Sequence, residues 1–188
     1  MLDHQADFLR RLLPGVLSLQ RRAGLPASVV LAQAILESDW GRSLLARRNR
    51  NLFGIKAHSR ANSSTVAVFS TSEYSGGRSR QEKARFASYE TFEECLDDYA
   101  RLLTRPRYAP ARAVAANPEA FARELQRCGY ATDPRYAHKL SLLIRRHHLD
   151  QYGLPDGLSP AESREALAQA GLPDDPAPVI VSDTLETT

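Results

Sequence analysis

Only two of the 188 residues are cysteine, one is methionine and one is tryptophan. Cys95 and Cys128 cannot build the disulfide framework of a small secreted scaffold, and neither stands in a metal-binding spacing. They read as small buried hydrophobes, with a single bridge open because they fall near opposite ends of two successive helices. Lysine is scarce too, since 22 of the 25 bases are arginine. No apolar run approaches the ~20 residues that a membrane-spanning helix requires. The acidic opening Met1-Leu2-Asp3-His4-Gln5-Ala6-Asp7 carries no apolar signal region, so no secretory signal is expected there. Internal repeats are absent.

What is present is a soluble globular composition, 43% apolar and 25% charged, long enough for one ordinary domain. The net charge of +3 conceals a division. Residues 155–188 hold seven acids against one base, Arg164, for a net of −6; residues 1–154 hold 24 bases and 15 acids, a net of +9. A basic body suits a polyanionic partner such as nucleic acid, an anionic membrane surface or cell wall, although charge alone favours a solvated arginine-rich surface.

The pattern is mainly helical. Residues 4–22 carry the stripe Phe8, Leu9, Leu12, Leu13, Val16, Leu17 and Leu19, with Pro14 expected to kink or split the helix. Pro26 suits a first helical position, and the apolar run from Val29 to Leu36 predicts a buried second helix ending near Ser38, with Gly41 as a stop signal. Between about 57 and 90 a small β-lobe is expected: polar Ser59 to Ser64, β-prone Thr65 to Phe69, a turn at Gly76-Gly77, then Arg85 to Tyr89. Thr91-Phe92-Glu93-Glu94 fits a capping box opening a third helix to about Leu103. Asn117-Pro118 caps a fourth, which Gly129 ends, and Asp133-Pro134 caps a fifth running to about His148. After Tyr152 the chain turns to Pro, Gly, Asp and Ala. This acidic tail is expected to be extended, with one short helix from Ser159 to Ala170.

The sharpest chemical signal is Glu37, in the last turn of the apolar second helix. The negative helix end and desolvation beside neighbours such as Trp40 both disfavour its carboxylate, as a general acid requires. An uninvolved Glu on a frayed helix end remains the other reading at this stage. A second carboxylate, Glu73, lies on the rim of the β-lobe. Two carboxylates facing each other across a cleft are the arrangement used for glycoside hydrolysis, although a solvated hairpin charge is the commoner fate of such a residue.

The ordered blocks Leu31 to Gly41, Asn51-Leu52-Phe53-Gly54-Ile55-Lys56, Thr71 to Tyr74, Arg85 to Tyr89, Asp98 to Leu103 and Gly129 to Leu140 resemble the glucosaminidases of glycoside hydrolase family 73. The likeness spans roughly residues 25 to 147 and is greatest to the catalytic domain of flagellar rod-associated peptidoglycan hydrolases. It implies an α+β, mainly helical, lysozyme-like fold, with a helical lobe and a small β-hairpin lobe bordering a cleft. It implies a glucosaminidase domain over 1–154 followed by the acidic tail 155–188. The implied activity is cleavage of the β-1,4 bond between N-acetylglucosamine and N-acetylmuramic acid in peptidoglycan. Glu37 is then the general acid and Glu73 the second carboxylate. Trp40, Phe53, Tyr130 and Tyr136 line or support the substrate cleft, and no metal or cofactor is called for.

Relatives usually carry a tryptophan shortly after the Gly-Ile-Lys block, and Ala57 to Asn62 has none. That difference motivates an alternative, a weakly active or inactive wall-binding or assembly module. Lytic transglycosylases, which also use a helical Glu followed by Ser, are another alternative, and a nucleic-acid binder has only the charge in its favour. Peptidoglycan glycan strands are the expected partner. Action in the periplasm or on the wall without a signal segment implies export by a secretion apparatus or a holin, and a toxin role would add an immunity protein.

Overall fold

A computed structural model describes residues 2–57, 66–75 and 78–153. The expected tail, the polar stretch Ser59–Ser64 and the turn Gly76-Gly77 lie outside the described residues.

Helix α1 (Asp3–Ala23) buries Phe8, Leu9, Leu12, Leu13, Val16, Leu17 and Leu19 on one face. Pro14 sits inside it, and the helix is not split. The ring costs roughly 3 kcal/mol in a helix interior. Each buried Leu or Val around it contributes roughly 1.5–3 kcal/mol, so the stripe outweighs the break. Gly24, left-handed at φ 66°, closes the helix by donating to the Gln20 carbonyl at 2.8 Å. Helix α2 (Ala27–Ser38) follows, with Pro26 as its cap rather than its first residue. Every residue from Ala27 to Ile35 is buried, so α2 is the central helix, packed against α1 and the C-terminal helices.

Helix α3 (Leu44–Asn49) is one the sequence pattern does not announce. Its six residues bury only Ala46, too few for a periodic stripe. Strands β1 (Val66–Ser75) and β2 (Arg78–Ala87) form an antiparallel hairpin, in register from Val66 opposite Ala87 to Ser75 opposite Arg78. Ile55 to Ala57 runs along the outer end of β2, with Ala57 N–H donating to Arg85 O (3.0 Å) and Ala87 N–H to Ile55 O (2.9 Å).

Helix α4 (Phe92–Leu103) begins as the capping box predicts at one end: the Thr91 hydroxyl accepts from Glu94 N–H at 3.2 Å. The Glu94 carboxylate reaches one residue further back, to Glu90 N–H at 2.9 Å. A 3₁₀ turn (Pro106–Tyr108) and the short helix α5 (Ala109–Ala113) lead to α6 (Pro118–Arg127), capped by Asn117. Helix α7 (Tyr136–His147) and a final 3₁₀ turn (Leu149–Tyr152) close the described chain. The result is the mainly helical α+β architecture with a two-stranded hairpin that the sequence leads one to expect.

Cys95 and Cys128 are unpaired, so the bridge held open by the sequence is not formed. Cys95 is fully buried under the Asn-Leu-Phe loop, where its Sγ accepts from Leu52 N–H at 3.4 Å. Burial pushes its thiol up to about 12. Among the described residues no helix is long and apolar enough to cross a membrane.

Candidate active site

Helix α2 is apolar almost throughout, and its one wholly buried amide, Gln33, lies one turn before Glu37. Residues i and i+4 share a helix face, so both point the same way. A buried amide must be hydrogen-bonded, and Gln33 is satisfied at both ends. Tyr99 of α4 donates its hydroxyl proton to Gln33 Oε1 (2.5 Å). Gln33 Nε2 donates to the hydroxyl of Tyr136, the first residue of α7 (2.9 Å). Tyr136 in turn donates to Glu37 Oε1 (3.0 Å). Three helices thus converge on one carboxyl group.

Glu37 opens into a cleft of 930 Å³. Its side chain is solvent-accessible, as an acid that meets a substrate must be, yet the surrounding walls displace much of the nearby water. That desolvation is the main reason its pKa is raised above 4.5; the Tyr136 hydroxyl and the Lys139 charge pull it back. Glu37 thus stands at the C-terminal end of α2 with its carboxyl group lining the cleft.

The wall beside Glu37 is aromatic. Phe53 is buried and stacks on Tyr99 with centroids 4.2 Å apart. Tyr130 stacks on Tyr136 at 5.8 Å and meets Tyr99 edge-on at 6.4 Å. The Tyr130 hydroxyl is buried and has no hydrogen-bond partner among the described residues. Phe53, Tyr130 and Tyr136 line the same cleft as Glu37.

Trp40 does not share it. Its ring meets Phe8 (6.1 Å) and His147 (4.7 Å) edge-on and is absent from the cleft lining. The backbone explains why. Asp39, Trp40 and Gly41 take left-handed conformations in succession (φ 51°, 58° and 74°), turning the chain off α2. Ser38 Oγ clamps this turn, donating to Ala34 O (2.5 Å) and accepting from Gly41 N–H (2.8 Å). Gly41 is required there: a Cβ would stand 2.9 Å from the Phe8 ring.

The Asn51 block is fixed by a single buried amide. Asn51 Nδ2 donates to the carbonyls of Ile55 and Ala87 (2.9 Å each), and its Oδ1 accepts from Ile55 N–H (3.0 Å). This ties the loop to the base of the hairpin, laying Phe53 on Tyr99 and Lys56 at the cleft rim. Glu73 lies on β1 opposite Arg80 in the register, and its side chain falls outside the described residues.

Bases dominate the rest of the lining: Lys56, Arg101, Arg105, Arg107 and Lys139 against Glu37, Asp98 and Asp133. Arg101 pairs with Asp98 (3.3 Å) and Lys139 with Asp133 (2.5 Å). Arg107 donates twice to the Cys128 carbonyl and lies over the Tyr108 ring. Sequence reasoning did not single out Gln33, Tyr99 or Lys139. Only Gln33 carries a local signal, as a lone amide in an apolar helix spaced four residues from the acid. Among the described residues no group of three His, Cys, Asp or Glu side chains could hold a metal ion.

A glucosaminidase family model, described as mannosyl-glycoprotein endo-beta-N-acetylglucosaminidase, matches residues 14–149. Peptidoglycan hydrolase FlgJ of Pseudomonas aeruginosa is 41% identical over 145 residues, covering 74% of this chain and 36% of that protein. Exo-glucosaminidase LytG of Bacillus subtilis is 38% identical over 157 residues, covering 80% and 54%. The chain thus spans between a third and about half the length of these relatives. The crystal structure of a peptidoglycan hydrolase mutant from Sphingomonas sp. A1 superimposes with a TM-score of 0.66 at 39% identity, over 79% of this chain and 97% of that one. The fold is therefore that of the lysozyme-like peptidoglycan hydrolases, and the chain belongs to the glucosaminidase family, glycoside hydrolase family 73.

Proposed function

We propose that the chain is a peptidoglycan hydrolase cleaving the β-1,4 bond between N-acetylglucosamine and N-acetylmuramic acid. Glu37 is the general acid, and Glu73, carried by the hairpin, is the second carboxylate. The observation that carries this reading is Glu37 itself: open to a cleft, held by Tyr136, and desolvated enough to keep its proton above the usual carboxylate range. A protonated carboxyl there can deliver its proton to the leaving glycosidic oxygen as the bond breaks. Glu73 then activates water or stabilises the positive charge developing on the sugar. The half-buried ring of Tyr130, in the cleft wall that Phe53 backs, suits contact with a sugar. The basic lining suits a glycan whose muramic units bear acidic peptides, which supports action at the cell wall.

Replacing Glu37 by Gln removes the proton while keeping the shape. Release of reducing ends from purified sacculi should fall by the ~10²–10⁴-fold that general acids contribute, with the thermal midpoint preserved. Wild-type release by the variant would overturn the assignment of the acid.

A further inference from the structure

Gln33 touches neither the cleft nor any solvent, yet it stands between Tyr99 and Tyr136, and Tyr136 bonds the acid. An amide is polar in a directional sense: Oε1 only accepts and Nε2 only donates. Tyr99 donates to Oε1, so the end that faces Tyr136 is the donor. A tyrosine hydroxyl has a single proton. With Gln33 Nε2 donating into its oxygen, that proton is directed at Glu37 Oε1. Glu37 Oε1 is then committed as an acceptor, and the transferable proton belongs on Oε2.

We infer that Gln33 is a positioning residue: anchored by Tyr99, it fixes Tyr136 as donor to Glu37 and so determines which carboxyl oxygen presents the proton. This inference rests on the reading of Glu37 as general acid. The residues that carry it come from three helices and meet nowhere in sequence. Gln33 is separated from Tyr136 by 103 positions and from Tyr99 by 66. A role in packing alone would be met as well by an apolar side chain of similar length, with no buried polar atoms to satisfy.

The test uses two variants of the whole chain, assayed on soluble peptidoglycan fragments. Gln33→Met keeps the length and removes both hydrogen bonds. Tyr136 is then able to turn and accept the proton of Glu37, which points the acid away from its substrate. We expect kcat to drop roughly 10- to 100-fold with KM within about twofold. The alkaline limb of the pH profile should move upward, because the ionised form of Glu37 loses its donor.

Gln33→Glu is the discriminating variant. While protonated, its O–H donates to Tyr136 and its carbonyl accepts from Tyr99, so the chain of bonds keeps its direction. Once ionised it can only accept, and Tyr136 turns away from Glu37. We expect near-wild-type kcat in acid buffer, collapsing to the level of Gln33→Met as pH rises through the pKa of the new carboxyl. A folded Gln33→Met with wild-type kcat and an unmoved alkaline limb would overturn the inference. So would a Gln33→Glu variant that tracks the wild type at every pH although its buried carboxyl is seen to ionise within that range, and this second variant decides if Gln33→Met does not fold. Glu37→Gln, run in parallel, separates the two claims: if it stays active the acid assignment fails, and if it is dead while both Gln33 variants match wild type, only the positioning role fails.

Discussion

Glu37 combines two conditions that are hard to meet together, access for a substrate and a shortage of water. Exposure comes from its place at the end of α2, and desolvation from its partial burial in a cleft that Phe53, Tyr130 and Tyr136 also line. The direction of its shift has a consequence for stability as well as for rate. A carboxyl whose folded pKa is raised contributes stability while protonated, and that contribution is lost as pH rises above 4.5 and through the raised value. Wild type should therefore lose thermal stability relative to Glu37→Gln over that window, a difference readable from paired melting curves at several pH values. Activity should fall on the alkaline side as the same proton is lost. An alkaline limb at the ordinary carboxylate range would show that the cleft does not desolvate the acid. The local signal for this residue was in the sequence, since an acid in the last turn of an almost wholly apolar helix is an anomaly. Its neighbour Tyr136 was named through the family resemblance, but the contacts that join them were not legible. Tyr136 and Tyr99 reach Glu37 and Gln33 through tertiary contacts that no periodicity encodes, and the sole tryptophan, read as part of the cleft, is turned off α2 by three left-handed residues onto Phe8 and His147.

The elements divide between those held by pattern and those held by single polar groups. Helices α1, α2, α4, α6 and α7 were visible from apolar spacing because each buries a continuous face, and the expected caps Thr91 and Asn117 are formed at α4 and α6, whereas α7 begins at Tyr136 without the Asp133 cap. Helices α3 and α5 were not, since six and five residues leave too little pattern to read. The Asn51 loop is the opposite case: its place depends on one amide making three hydrogen bonds. Asn51→Ala should cost roughly 1–3 kcal/mol, as the Ile55 and Ala87 carbonyls and the Ile55 N–H lose a buried partner. It should also lower activity more than its stability loss explains, because Phe53 would no longer be fixed on Tyr99. Chemical denaturation together with kcat/KM on peptidoglycan fragments checks both. A variant as stable and as active as wild type would show that the loop is held by packing alone.

At the scale of the whole molecule, the charge division seen in the sequence acquires a location. The +9 body presents bases along the cleft that carries Glu37, with Lys56 and Arg105 both exposed on its lining. Reversing both, by Lys56→Glu and Arg105→Glu, should weaken binding to sacculi on the order of fivefold at low salt and flatten its salt dependence. Unchanged retention in a pull-down at several salt concentrations would assign the basic balance to surface solvation. The central claim is that this cleft hydrolyses peptidoglycan glycan strands through Glu37. Digestion of purified sacculi followed by mass spectrometry of the products tests it most directly. The account predicts fragments ending in reducing N-acetylglucosamine from the wild type and none from Glu37→Gln; anhydro-muramic ends, or the same fragments from both proteins, would contradict it.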